Sequence, residues 1–380
     1  MSKIMDLPAA TFRLTPQDFV VDEIAAYAPS GAGEHAYVTF RKTDLTTPEA
    51  VKRIARALGA DARDAGFAGM KDRHAVTTQT ASFQLPLAKD PAALLAAATL
   101  DGIEILAVSR HNNKLKPGHL EGNRFRIALR GIEASAMDGV TSGIRRSFAE
   151  GVPNAFGPQR FGRDGSNPAR AIEWLAGKTR GPRDKREQRM LFSALQSLWF
   201  NEVLARREAD GTWARVLPGD LAKKHDTGGM FLVPLTGPET EDALARAAAG
   251  ELGPTGPMFG KKMRWPEGKP YEIERDVLVS AIEDPSKLDA WAHLGEGTRR
   301  PLRMEVSEGA IEKMPDGEAG REMIVVSFVL PKGGYATTVL GRTVKLVDAS
   351  VARSSREQTE GAERSGSDGS VPPDGESEIG

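Results

Sequence analysis

The 380-residue chain contains no cysteine. That absence excludes disulfides, thiolate zinc sites, cysteine-bound iron–sulfur clusters and a cysteine nucleophile in one step. Its six histidines (His35, His74, His111, His119, His225, His293) are scattered, with no pair at a metal-ligand spacing such as His-Glu-x-x-His. The glycine pairs Gly228-Gly229 and Gly333-Gly334 lack the Gly-x-x-x-x-Gly-Lys spacing of a phosphate-binding loop. No run of about eighteen apolar residues occurs, so no membrane span is expected. The first residues (MSKIMDLPAATFRL) carry no apolar stretch followed by a cleavage site. A cytoplasmic protein without metal is the simple expectation.

A strong excess of either charge is missing too, for the net charge is −1. The balance is uneven along the chain. Residues 351–380 hold three arginines and seven acidic residues, which leaves 48 basic against 45 acidic residues in the body. That tail is poor in apolar residues and rich in Ser, Gly, Glu and Pro, so it cannot bury enough surface to offset ordering entropy and is expected to be disordered. Basic residues cluster at Arg110 to Lys116, Arg180 to Arg189, Lys223 to His225, Lys261 to Arg264, and at Arg299, Arg300 and Arg303. Such clusters can follow a phosphate backbone, and each alone reads equally as a solvated face.

With 380 residues and 40% hydrophobic content, the chain can build two domains. Ala36 to Lys42 alternates as a strand. Thr46 or Thr47 can cap a helix with Pro48 in its first turn and Val51, Ile54, Ala55 and Leu58 as its apolar stripe. Strands are predicted at 80–87 and 103–109, separated by a helix opening at Asp90-Pro91, and another from Asn123 to Arg130, with a helix over 135–149. From Asn154 the composition shifts. Helices are expected to dominate, one opening at Asn167-Pro168, a long one from Glu187 to Arg207, and one over 275–294. The long helix places Met190, Leu191, Ala194, Leu195, Leu198 and Val203 at core spacing. Strand character returns at Met323 to Leu330 and Tyr335 to Leu346.

Gly66 to Gln79 (GFAGMKDRHAVTTQ) carries the most chemistry. It sets one carboxylate, Asp72, between Lys71 and Arg73 on what reads as a loop. Nearby cations favour the ionised form of a carboxylate, and an ionised Asp can act as nucleophile or general base. The cations can also meet phosphate. On charge pattern alone the same string reads first as a charged turn in which Asp72 caps the following segment and the charges are solvated.

Gly69, Lys71, Asp72, Arg73, Ala75, Thr77 and Gln79 resemble the active-site signature of the TruD family of tRNA pseudouridine synthases. Four further stretches resemble that family in its own order: Asp18 to Glu23 (DFVVDE), His111 to Phe125 (HNNKLKPGHLEGNRF), Asn154 to Gly162 (NAFGPQRFG) and Phe328 to Thr337 (FVLPKGGYAT). Together they bracket residues 18 to 337.

The resemblance implies an α+β fold, a mixed-sheet pseudouridine synthase core interrupted by a mainly helical or mixed TruD-type insertion, with a cleft between. The catalytic domain would comprise residues 1–154 plus 303–350, the insertion 155–302, and the disordered acidic tail 351–380. It implies isomerisation of uridine to pseudouridine in tRNA, at uridine 13 of the D arm, with no cofactor or metal. The expected partner is tRNA, without a membrane. A monomer is expected because no coiled coil or long apolar edge stands out.

By the same resemblance Asp72 is the catalytic aspartate. Asn123-Arg124-Phe125 matches the Asn-x-Phe motif whose phenylalanine stacks on the flipped uracil, an interaction of about 1–3 kcal/mol per base. Phe125 also shares strand parity with Ile127 and Leu129, which fits a core residue. Phe328 matches a second position near the pocket, although it alternates with Val326 and Leu330. Lys71 is open to pairing with Asp72 or to phosphate, and Glu23 to organising the loop or to the surface. Gln159 and Arg160 match residues at the insertion boundary, with Arg160 suited to phosphate. His74 stands where family members vary, so no acid–base work is assigned to it. After Tyr335-Ala-Thr-Thr the chain reads Val-Leu-Gly-Arg, where many relatives carry an Arg-Glu pair after the Leu.

Two other function classes compete. A silent RNA-binding protein on the same fold predicts a broken aspartate motif, whereas the neighbours of Asp72 are intact. A hydrolase needs a second carboxylate, and the nearby Asp61 and Asp64 lie outside the matched motif.

Overall fold

The computed structural model describes residues 7–162, 164–282, 284–316 and 322–351, without the side chains of Pro158 and Gln159. The tail beyond Val351, expected to be disordered, lies outside the described residues. Two compact units divide the chain: Met1–Ser142 with Glu308–Gly333 and Leu340–Gly380, and Gly143–Ser307 with Gly334–Val339.

The first unit is built on strands β1 (Ala9–Phe12), β2 (Phe19–Ala25) and β3 (His35–Thr43), helix α1 (Thr47–Leu58), and strands β4 (Gly66–Phe67), β5 (Val76–Gln84), β6 (Ile103–His111) and β7 (Leu120–Leu129). An eight-stranded sheet runs in the order Ser307–Pro315, Glu322–Pro331, β7, β2, β5, β3, β6, with β4 paired to β5. From β7 to β6 the neighbours are antiparallel except β2 and β5, which run parallel, so the loop entering β5 opens beside the start of β2.

Local chemistry sets α1 as the sequence predicts. Glu49 N donates to Thr46 Oγ1 while the Glu49 carboxylate accepts from Thr46 N at 2.9 Å, a reciprocal cap that satisfies two orphan donors. Pro48 sits in the first turn, and Gly59, at φ 62, ends the helix in the left-handed region. The stripe Val51, Ile54, Ala55 and Leu58 then buries against Ala36, Val38 and Phe40 of β3 and Ala81 and Phe83 of β5. Each larger side chain so buried contributes roughly 1.5–3 kcal/mol.

Some predicted bounds shift. The strand expected from residue 80 starts at Val76, because β5 pairs with all of β3, from His35↔Gln84 to Thr43↔Val76. The strand expected over Tyr335 to Leu346 is instead a helix, Ala336–Leu340, followed by a short strand, Lys345–Asp348. Gly333, at φ 81, turns the chain out of Glu322–Pro331, and the amides of Thr343 and Val344 both donate to Leu340 O. Lys345–Asp348 then pairs in parallel with β1, Phe12 standing opposite Asp348.

The second unit centres on the helix Lys185–Ala209. Leu191, Ala194, Leu195 and Val203 are buried as expected, but Met190 is 50% and Leu198 40% exposed. The buried face turns toward Phe192, Trp199 and Phe200, whose larger rings dominate the packing. Helices do not dominate as fully as expected. An antiparallel four-stranded sheet runs Met230–Leu232, Leu221–Lys224, Leu252–Met258, Thr298–Pro301. Leu252–Met258 (LGPTGPM) hides its strand nature behind two glycines and two prolines, residues ordinarily depleted from central strands. The helix expected over 275–294 occupies Gly268–Ile282.

Part of the basic surface expected from the sequence is internal. The Arg299 guanidinium is buried in a bidentate pair with Glu274, both contacts at 2.7 Å. Arg110 donates to the carbonyls of Gly33, Leu85, Pro86 and Lys89, bracing loops. Among the described residues, no helix is long and apolar enough to cross a membrane.

Candidate active site

Residues 68–75 form the loop between β4 and β5, and several side chains fix it. Thr47, the first residue of α1, accepts from Lys71 N at 2.9 Å and donates to Gln79 Oε1 at 2.8 Å. Lys42, fully buried at the end of β3, donates from Nζ to the main-chain oxygen of Asp72 at 2.7 Å. Burial pushes the Lys42 ammonium down to about 8; the charge of Asp72 opposes that shift and the charge of Lys71 adds to it. The loop backbone is thus held from two sides, by Thr47 at Lys71 N and by Lys42 at the Asp72 carbonyl.

The Asp72 side chain is 56% exposed and its Oδ2 accepts from Arg13 Nη2 at 2.7 Å. Arg13 Nη1 reaches Asp348 Oδ2 at 2.9 Å, so one guanidinium clamps two carboxylates. Arg13 adopts φ 58, an uncommon conformation for a residue with a Cβ. Its guanidinium lies 4.0 Å from the Phe19 ring centroid, within cation–π range. Pairing of β1 with Lys345–Asp348 delivers both Arg13 and Asp348 to this point.

Lys71 pairs with side chains other than Asp72. Its ammonium contacts Glu23 Oε2 at 2.8 Å and Asn123 Oδ1 at 2.7 Å, and its side chain is 6% exposed. Glu23, at 3% side-chain exposure, is an internal anion rather than a surface carboxylate. Glu23 and Asn123 are register partners on β2 and β7, so a single ammonium ties the loop to two strands.

Phe125 stands two residues along β7 and opposite Phe328 in register. Their rings stack at 5.5 Å with 30° between planes, and Phe19 meets Phe125 edge-on at 6.3 Å. Phe125 is 6% exposed and Phe328 fully buried. The row Arg13, Phe19, Phe125, Phe328 thus links the aspartate clamp to the aromatic pair.

Arg160 belongs to the second unit, where it is exposed. Its guanidinium donates to Ser197 Oγ at 3.1 Å and to Ser193 Oγ, and lies 5.5 Å from the Phe156 ring centroid. Arg300, 4.1 Å from the same ring centroid, is pushed down to about 10 by burial, aided by the charge of Arg160. The Gln159 side chain lies outside the described residues; its backbone forms a 3-10 turn, Pro158–Phe161.

Sequence reasoning missed Arg13, Lys42, Thr47 and Asp348. Arg13 and Lys42 sit in strand-like segments with nothing local to mark them, and only the pairing of distant strands carries them to Asp72.

Comparison with known proteins agrees with this architecture. The family model for tRNA pseudouridine synthase D (TruD) matches residues 8–178 and 183–343. A tRNA pseudouridine synthase D of Anaeromyxobacter sp. (strain Fw109-5) is 41% identical over 347 residues, covering 90% of this chain and 94% of that one. A counterpart from Thermus thermophilus is 39% identical over 344 residues, covering 90% and 91%. A crystal structure from Methanosarcina mazei, of a putative tRNA pseudouridine synthase D, shares the fold with a TM-score of 0.76 at 24% identity, over 90% of this chain and 94% of that one. The match spans nearly all of the described chain: it belongs to the tRNA pseudouridine synthase D family, enzymes that isomerise uridine in tRNA.

Proposed function

We propose that the protein converts uridine 13 of the tRNA D arm to pseudouridine, with Asp72 as its catalytic aspartate. The observation that carries this reading is the way Asp72 is held: backbone fixed by buried Lys42, carboxylate fixed by Arg13, side chain still half-exposed. A reacting carboxylate must be reachable by substrate yet restricted in direction, and this one is both. Isomerisation breaks the N1–C1′ bond, turns the uracil and joins C5 to C1′; a proton leaves C5 and one is gained at N1, so no atom is gained or lost.

The target uridine has to leave its stack, which costs a few kcal/mol, and needs an apolar surface in return. Phe125, backed by Phe328, supplies that surface, and Lys71, Glu23 and Asn123 form the polar support beside it. Gln159 and Arg160 contact the RNA backbone; two serine hydroxyls orient the Arg160 guanidinium, whose planar fork suits a phosphate. In this reading residues 1–154 with 303–350 do the chemistry, residues 155–302 bind tRNA, and the enzyme works as a cytoplasmic monomer.

The test is to incubate the purified protein with unmodified tRNA, without added metal or nucleotide, and to map pseudouridine by carbodiimide treatment and primer extension. One new stop at the D-arm uridine, lost in Asp72→Asn while RNA binding persists, is the expected result. Tight tRNA binding with no pseudouridine at any position would sink the assignment and favour the silent RNA-binding class.

A further inference from the structure

The stretch from His111 to His119 matches the family yet takes no part in the site described above. It walls a cavity of about 400 Å³ whose lining includes Glu23, Tyr27, Tyr37, Thr39, Leu115 and His119. That volume falls within the range of small-ligand pockets. Asp72 is not in the lining, whereas Glu23 is, and Glu23 is held by the residue next to Asp72. The cavity therefore begins one side chain away from the catalytic loop without containing it.

Three features define what fits. The side wall is aromatic: Tyr27 packs against His111 with rings 5.4 Å apart at 30°, meets His119 edge-on at 5.7 Å, and keeps 36% of its surface exposed. The polar groups are fixed in place. Thr39 and Thr80 hydroxyls share a hydrogen bond of 2.9 Å, Tyr27 Oη bonds His119 Nδ1 at 2.9 Å, and Tyr37 donates to Asn113 O at 3.0 Å. Burial holds the Tyr37 phenol above its ordinary value, so it stays a donor. The segment that walls the cavity is basic in sequence, with Lys114 and Lys116 on either side of the lining residue Leu115.

The wall is also preformed. Leu115 N donates to Ser82 Oγ at 2.9 Å and Gly118 N to Ala68 O at 2.8 Å. Gly66 lies so close that a Cβ there would stand 2.1 Å from Leu115 O, so the loop seats directly on β4 backbone.

A flat aromatic face, directional polar groups and basic residues in the adjoining segment are the elements with which proteins hold an unstacked base and its phosphates. We propose that this cavity binds one nucleobase of the RNA substrate, a neighbour of the isomerised uridine rather than that uridine itself. The inference rests on the RNA-modifying function proposed above. Binding this base would draw the strand past Asp72 in one register and so help select which uridine enters.

Ala107 lines the cavity from the exposed strand β6, opposite Thr39, so Ala107→Trp fills it without disturbing a core. Dissociation constants are measured for the full-length protein with a tRNA transcript and with transcripts carrying one abasic ribose at each D-arm position in turn. The wild type should lose about tenfold in affinity at one abasic position. Ala107→Trp should bind the intact transcript about tenfold more weakly and be indifferent to that same position. Leu106→Trp, on the same strand but outside the lining, should behave as wild type. Equal sensitivity of wild type and Ala107→Trp at every abasic position, or unchanged affinity in Ala107→Trp, would overturn the proposal. The readout is binding, so it scores the cavity independently of whether pseudouridine forms, and a wild type that binds but never isomerises counts against the proposed function alone.

Discussion

Arg13 and Asp72, 59 positions apart in sequence, meet at 2.7 Å, and the same arginine holds Asp348 at 2.9 Å. A planar fork of donors suits this double duty, and a lysine ammonium on a flexible stem does not. Arg13→Lys should therefore retain folding but lower kcat, and Arg13→Ala should lower it further, on the order of 10²-fold, as expected for a misdirected catalytic group. Single-turnover rates on unmodified tRNA measure this. Equal rates in wild type and Arg13→Ala would show that the clamp does not direct Asp72.

Lys42 gives a dependence on pH with a definite sign. Its folded value is depressed from 10.5 to about 8, so between those limits the unfolded chain binds more protons and stability rises with pH. Below pH 8 the penalty of keeping the ammonium buried and charged is fully present, and above 10.5 it is gone. At about 1.4 kcal/mol per unit, wild type should gain on the order of 3 kcal/mol relative to Lys42→Met across that window. Urea unfolding of both proteins at pH 7.5 and 10.5 reads the difference directly.

Glu23 and Lys71 form an internal ion pair, so removing one partner leaves the other charged and buried. Glu23→Gln or Lys71→Met alone should each destabilise by about 3–5 kcal/mol. The double variant should lose less than the sum of the two, because no unpaired charge remains. A denaturant-unfolding cycle with strictly additive losses would show that the pair is not energetically coupled.

Phe125 and Phe328 stack on each other but should respond differently to substitution. Phe328 is fully buried, so Phe328→Ala should cost about 3–5 kcal/mol and lose activity only as far as it unfolds, with recovery on cooling. Phe125→Leu should be milder for stability, below about 1.5 kcal/mol. Its loss of base stacking, about 1–3 kcal/mol, should instead lower kcat/KM roughly tenfold in fully folded protein. Thermal melting and steady-state kinetics separate the two outcomes.

Where several local signals agree, structure was legible in the sequence. Thr46 or Thr47, Pro48 and the stripe Val51, Ile54, Ala55 and Leu58 all specify α1, and the helix lies within those bounds. Leu252–Met258 was not, because its glycines and prolines contradict the strand that tertiary pairing imposes. Tyr335 to Leu346 was mistyped, since so short an apolar run fits either period and only the turn at Gly333 separates them. In the site, Lys71, Glu23 and Asn123 could be picked out as residues, but their mutual contact could not. Which of its two cationic neighbours in sequence Asp72 would face was likewise undecidable; it faces neither, because a distant arginine brought by β1 occupies its carboxylate.

The pairing of β1 with Lys345–Asp348 sets a clock on the enzyme's birth. Arg13 leaves the ribosome 335 residues ahead of Asp348, the second carboxylate it holds. At about 5–20 residues per second, roughly 20 to 70 seconds separate the two. During that interval the nascent chain already carries β2, β3, β5 and β7, but the strand that anchors its aspartate clamp has no partner. The clamp on Asp72 can therefore close only after every strand that lies between its two ends has been made.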